Sequence, residues 1–239
     1  MRSTNMSFGG RLLLGVFGLL AVAGSPATAQ APLEMKAPAA PQPRFVVVLD
    51  AAHGGDDLGG HLASGQIEKA VTLAFSVKLR SLLSARGFQV VTTRESDITV
   101  TPDHRAEIAN RVQARACLSL HVTDSGSGVH LFASSLAPAE SARFVPWKTA
   151  QAAWVTRSLA LTGALNSTLQ QAGIGVTLAR TALPGVDSMS CPAVAIELAP
   201  ERDATHTVKS ATDDPAYQSR VAEALAAALL VWRTEAHQP

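Results

Sequence analysis

Three short apolar runs in this chain each deliver a metal-binding or proton-transferring side chain where they stop. The run at residues 45–50 (FVVVLD) leads into His53, the run at 116–121 (ACLSLH) closes on His121, and the run at 193–198 (AVAIEL) carries Glu197. Runs this short and this rich in Val, Ile and Leu suit strands buried on both faces of a parallel sheet. An open α/β sheet collects its chemistry in the crevice at the carboxyl ends of its strands. A fourth residue, Glu68 in GQIEKAVTL, opens an amphipathic helix.

The remaining pattern supports an alternating α/β chain. Residues 67–86 read as a helix with Val71, Phe75, Leu79 and Leu82 on one face, closed by Gly87. Residues 88–93 follow as a strand. Thr101-Pro102 then starts a helix reaching about Ala114, with Thr as N-cap and Pro in the first turn. Strands are expected at 129–133, after a turn marked by Gly126 and Gly128, and at 174–179. A loop at 134–146 and a long helix at 149–172 lie between them, and a second loop covers 181–190. Asp214-Pro215 opens a final helix whose Val221, Leu225, Leu229 and Trp232 share a face. This order predicts a single α/β domain: a mostly parallel, twisted sheet with helices on both faces. The link between 116–121 and 129–133 is too short for a parallel crossover, so the sheet is expected to be mixed, with that pair antiparallel.

Residues 1–29 read as a signal peptide. Arg2 and Arg11 supply positive charge, residues 12–23 are apolar, and Ala27-Thr28-Ala29 forms a small-x-small cleavage pattern. A Pro/Ala-rich linker at 30–43, a catalytic domain at 44–233 and a tail at 234–239 complete the expected organisation. The chain is thus expected to be exported, with the periplasm the favoured compartment, and to leave the membrane once cleaved. A net charge of +1 and an aromatic content of 5% argue against nucleic acid or an anionic membrane as partner. Export permits a disulfide between Cys117 and Cys191, provided their strands lie side by side.

The four residues differ in how sharply they point to chemistry. His53 precedes Gly54-Gly55, which let other groups approach it. Glu68, at a helix start, is kept ionised by the helix dipole, though such glutamates are common for that reason alone. His121 ends a buried strand. Glu197 interrupts an apolar strand, and a buried carboxylate is costly unless paired, protonated or near a metal. Its structural alternative is a salt bridge to an arginine; its functional one is a general base. Two imidazoles and a carboxylate around one crevice suit a catalytic zinc with an open position, leaving the other glutamate for proton transfer. Asp56 and Asp57 could accept a hydrogen bond from a ligating histidine, although loop aspartates are more often simply exposed, and His61 is close enough in sequence to line the same mouth. His104, His130, His206 and His237 do not combine with strand ends in this way.

The blocks VVVLDAAHGG, IEKAVTLAFSVKLRSLLSARGFQVVTTRESD, RAEIANRVQARACLSLHV and PAVAIEL, in this order, resemble the zinc-dependent N-acetylmuramoyl-L-alanine amidases of the amidase 3 type. The resemblance runs over most of residues 44–233. It implies Zn2+ held by His53, Glu68 and His121, with Glu197 as catalytic base. It also implies peptidoglycan as substrate and cleavage between N-acetylmuramic acid and L-alanine. An activator protein is a candidate partner, and the chain is expected to be a monomer. The alternatives are a zinc carboxypeptidase or other amidohydrolase on wall peptides, and an inactive peptidoglycan-binding module. Three departures touch the rim of the site: Ala51-Ala52 where the family has Pro-Gly, Val122-Thr123 where it has Ala-Asn, and ELAPERD where it often has ELGFLSN.

Overall fold

Neighbouring residues of the first strand, β1 (Val46–Ala51), face two different cores. Val47 and Leu49 join one apolar cluster, whereas Val48 joins another on the opposite face of the sheet. This is a computed structural model, and it describes residues 45–139 and 145–235. The proposed signal peptide and linker, and residues 236–239 of the proposed tail, lie outside the described residues.

After β1 come α1 (Glu68–Ala85), β2 (Gln89–Thr92), α2 (Pro102–Arg111), β3 (Ala116–Val122) and β4 (Val129–Ser134). Then follow α3 (Val155–Gln171), β5 (Val176–Thr181), β6 (Ala193–Leu198), a small ladder of β7 (Glu201–Arg202) and β8 (Val208–Ser210), and α4 (Pro215–Glu235). The main sheet has the order β2-β1-β3-β6-β4-β5. Strands β2, β1, β3 and β6 run parallel; β4 is antiparallel to β6 and parallel to β5. The sheet is therefore mixed, as expected, but the antiparallel partner of β4 is β6, not β3. The last long strand in the chain is inserted between the two that the short 123–128 link connects.

Helices lie on both faces, unevenly. α1, α3 and α4 pack on one face, where Val71, Phe75, Leu79, Leu83, Leu161, Leu165, Leu225 and Leu229 meet Leu49, Leu118, Leu131 and Ile196. The buried row of α1 ends not at Leu82 but at Leu83, the fourth member of an i, i+4 series that starts at Val71. Among the described residues, the other face is covered over the amino-terminal part of β1, β3 and β6. There α2 and the 3-10 turn Val186–Ser188 seat Ala106, Ala109, Val186 and Met189 on Val48, Cys117 and Ala193. Higher on that face, Ser119, His121, Glu197, His130 and Phe132 are left to form the wall of a crevice.

Local chemistry sets the element ends. Thr101 caps α2, its hydroxyl accepting from His104 N at 3.2 Å, with Pro102 in the first turn. That helix ends at Arg111, short of Ala114, because Gln113 takes a left-handed φ of 49°. The expected helix at 149–172 is broken: a 3-10 segment Trp147–Ala153 precedes α3. The buried Gln151 amide donates to Met189 O and Cys191 O at 2.7 Å each and accepts from Ser158 Oγ, which fastens this segment to the start of β6. Cys117 and Cys191 form a disulfide, β3 and β6 being neighbours.

Candidate metal centre

The loop after β1 carries His53 in a conformation most residues avoid. Its φ is 62°, and Gly54 and Gly55 follow at 127° and 60°. A Cβ on Gly55 would stand 2.1 Å from Thr99 Oγ1, so the loop admits no side chain there. Two buried arginines hold this backbone from beneath. Arg105 donates to Asp50 Oδ1 (2.6 Å), Ala51 O (2.7 Å) and His53 O (2.7 Å). Arg94 donates to Ala51 O and Ala52 O, each at 2.9 Å, and to Lys69 O at 2.7 Å. Asp50 is satisfied in full, accepting also from Thr93 Oγ1 and Ser119 Oγ. Buried charges at this density persist only when every lone pair and donor is used.

Glu68 is the first residue of α1, and the helix start aims it at the same spot. Its N–H donates to Gly60 O, and its Oε2 accepts from Gly60 N, both at 2.8 Å. Oε1 then lies 3.1 Å from His53 Nε2 and 3.0 Å from His121 Nδ1. The ligand atoms of these three residues lie within 4.8 Å of one another. Asp57 Oδ2 takes the other ring nitrogen of His53, Nδ1, at 2.9 Å, which turns Nε2 inward. Asp56, Asp57 and His61 are all exposed, and of the three Asp57 holds the His53 ring. Burial pushes the Glu68 carboxyl up, yet hydrogen bonds from His121, His53 and Gly60 outweigh it and hold the group well below the usual carboxylate range. The same hydrogen bond to Glu68 raises His53 against the lowering effect of its burial, with Asp57 adding to the rise. An anionic oxygen and two inward-turned imidazole nitrogens form a donor set suited to zinc.

Glu197 stands one strand over. It is the register partner of His121 across β3 and β6, so the two side chains leave the sheet on the same face. Its carboxylate is 30% exposed, less buried than an apolar strand implies, because it lies in the uncovered part of that face. Its partner is His130, with Nδ1 at 2.7 Å from Oε2, rather than an arginine. Three of the four residues therefore converge, and the fourth flanks them through the strand register.

The profile of the Amidase_3 family, N-acetylmuramoyl-L-alanine amidase, matches residues 47–231. The chain belongs to this family. N-acetylmuramoyl-L-alanine amidase AmiA of Escherichia coli is 37% identical over 101 residues, which is 41% of this chain and 35% of that protein. The chain thus spans about a third of the length of that curated relative. Among solved structures, the catalytic domain of CwlV, N-acetylmuramoyl-L-alanine amidase from Bacillus (Paenibacillus) polymyxa, superposes with a TM-score of 0.60 at 23% identity, covering 79% of this chain and 98% of that one. The CwlD amidase from Clostridioides difficile, solved in complex with the GerS lipoprotein, gives 0.60 at 19% identity over 80% of this chain and 100% of that one. At these identities the structures establish the amidase fold.

Around the candidate site, sequence reasoning passed over Asp50, Arg94, Arg105 and His130. The aspartate ending FVVVLD carried a usable signal, since an acid closing a buried strand needs a cation, but only the fold brings Arg105 to it and Arg94 to the neighbouring Ala51 carbonyl. His130 carried none, because one polar residue in VHLFAS reads as a solvent-facing strand position.

Proposed function

We propose that the chain hydrolyses the amide bond between N-acetylmuramic acid and L-alanine in peptidoglycan, with Zn2+ held by His53 Nε2, Glu68 Oε1 and His121 Nδ1. The convergence of those three atoms beside a strand-borne glutamate carries this reading. Zinc supplies there a Lewis acid for the scissile carbonyl and lowers the pKa of water. The chain's own groups do the rest. Asp57 fixes the His53 ring, and Gly60 fixes the Glu68 carboxylate. Glu197 accepts a proton from the attacking water and hands it to the leaving nitrogen. The uncovered face above α2 admits the glycan and its stem peptide.

Digestion of purified muropeptides by zinc-loaded protein, read by mass spectrometry, tests this. The expected products are glycan free of peptide and an intact stem peptide. A shortened stem peptide would identify a carboxypeptidase instead, and binding with no product an inactive wall-binding module. The reading extends to an exported, periplasmic enzyme with a 1–29 leader, a 30–43 linker and a monomeric 44–233 domain. Among the described residues no helix is long and apolar enough to cross a membrane. The lipoprotein complex of the clostridial neighbour makes an activator protein the partner to seek.

A further inference from the structure

His121, Glu197 and His130 form one row across three adjacent strands. Glu197 is in register with His121 on its β3 side and with His130 on its β4 side. Residues so paired project from the same face of the sheet. His130 Nδ1 lies 2.7 Å from Glu197 Oε2, while Oε1 takes no hydrogen bond among the described residues. One carboxylate oxygen is held and the other is left for chemistry.

The imidazole that holds it is itself fixed. A Cβ on Gly126 would stand 2.6 Å from His130 Cε1 and Nε2, so the glycine backbone closes against the far edge of the ring. Phe132, two residues along β4 on the same face, packs edge-on at a centroid distance of 6.3 Å. The ring has little rotamer freedom, and only 13% of the side chain meets solvent. A glutamate 30% exposed on a strand otherwise samples several χ settings.

Resting on the amidase reading above, we propose that His130 is the positioning residue of the general base: its Nδ1–H fixes Glu197 so that Oε1 faces the side of the row where His121 stands. It touches neither metal nor substrate and acts through Glu197. The cost of losing such support is about 10- to 100-fold in activity.

The test uses the full chain, zinc-loaded, with a soluble muropeptide. His130→Leu is expected to lower kcat by ~10- to 100-fold, with KM within about twofold and zinc content unchanged. His130→Asn, whose amide nitrogen can take the place of Nδ1, is expected to recover most of kcat. In a Glu197→Gln background, His130→Leu is expected to add less than about threefold, because its effect passes through the same carboxylate. Imidazole 15N spectra give a readout free of turnover: the His130 Nδ1–H signal should move on Glu197→Gln. Wild-type kcat in His130→Leu, equal impairment of the Asn and Leu variants, an Nδ1–H signal indifferent to Glu197→Gln, or zinc loss would overturn the inference. If Glu197→Gln is impaired and His130→Leu is not, the inference alone falls. If the zinc-loaded wild type forms no product, the amidase reading falls and takes the inference with it.

Discussion

Glu68 concentrates the chemistry of the site in a single carboxylate. One oxygen is fixed by Gly60, and the other faces His53 and His121. Replacing it by Gln puts a neutral amide where the anionic donor stood. Glu68→Gln is expected to drop zinc content of the dialysed protein from near stoichiometric to near zero while the fold persists, as read by metal analysis beside circular dichroism. Glu197→Gln is expected to behave oppositely, keeping zinc but losing about 10²- to 10⁴-fold in kcat, the usual contribution of a general base. At this scale the convergence of His53, Glu68 and His121 was legible. His53 announces itself by following an apolar run, His121 and Glu197 by closing or interrupting one, and Glu68 by its place at a helix start. His130 did not, since its role exists only through the pairing of β4 with β6, which the local sequence does not encode.

The loop between β1 and α1 shows how an element of structure is braced for one residue. Arg105 crosses from α2 to the end of β1 and meets Asp50 and the carbonyls of Ala51 and His53. Arg105→Leu would leave the Asp50 charge buried without its cation and release the left-handed His53. A loss of about 3–5 kcal/mol is expected for breaking such a buried pair, seen as a lower midpoint in urea unfolding, together with weaker zinc binding. The β7–β8 ladder is tied more lightly, by Glu201 to Arg220 of α4 at 2.9 Å. The Arg220 hydrogen bond holds Glu201 below its ordinary value of 4.5. A depressed carboxyl stabilises the fold above its unfolded pKa, and that contribution fades as pH falls through the lower folded value. Arg220→Ala is therefore expected to cost a few tenths of a kcal/mol to about 1 kcal/mol at neutral pH. In melts the difference from wild type should shrink as pH falls below 4.5 and vanish once Glu201 is protonated in the folded protein. Helix starts such as Thr101-Pro102 were readable because capping is local. The break at Trp154 was not, because Gln151 answers to carbonyls of Met189 and Cys191, nearly forty residues downstream.

At the scale of the molecule, continuous apolar runs call for a sheet covered on both faces, but strand order depends on which edges meet. The disulfide joins β3 to the chain entering β6, at the end of the sheet opposite His53, Glu68 and His121. It closes a loop with a sequence separation of 74. The chain-entropy model gives ~4 kcal/mol for a loop of that size. Cys117→Ala with Cys191→Ala is expected to lower Tm markedly while leaving zinc stoichiometry intact, checked by calorimetry and metal analysis. The central position of β6 has one more effect, on the order of assembly. While the ribosome has yet to make residues 193–198, β2-β1-β3 and β4-β5 have no common neighbour, and each keeps an open edge. A nascent chain at that stage already contains His53, Glu68 and His121 but lacks Glu197. Glu197 thus joins the three converging residues only with the strand that locks the two halves of the sheet together.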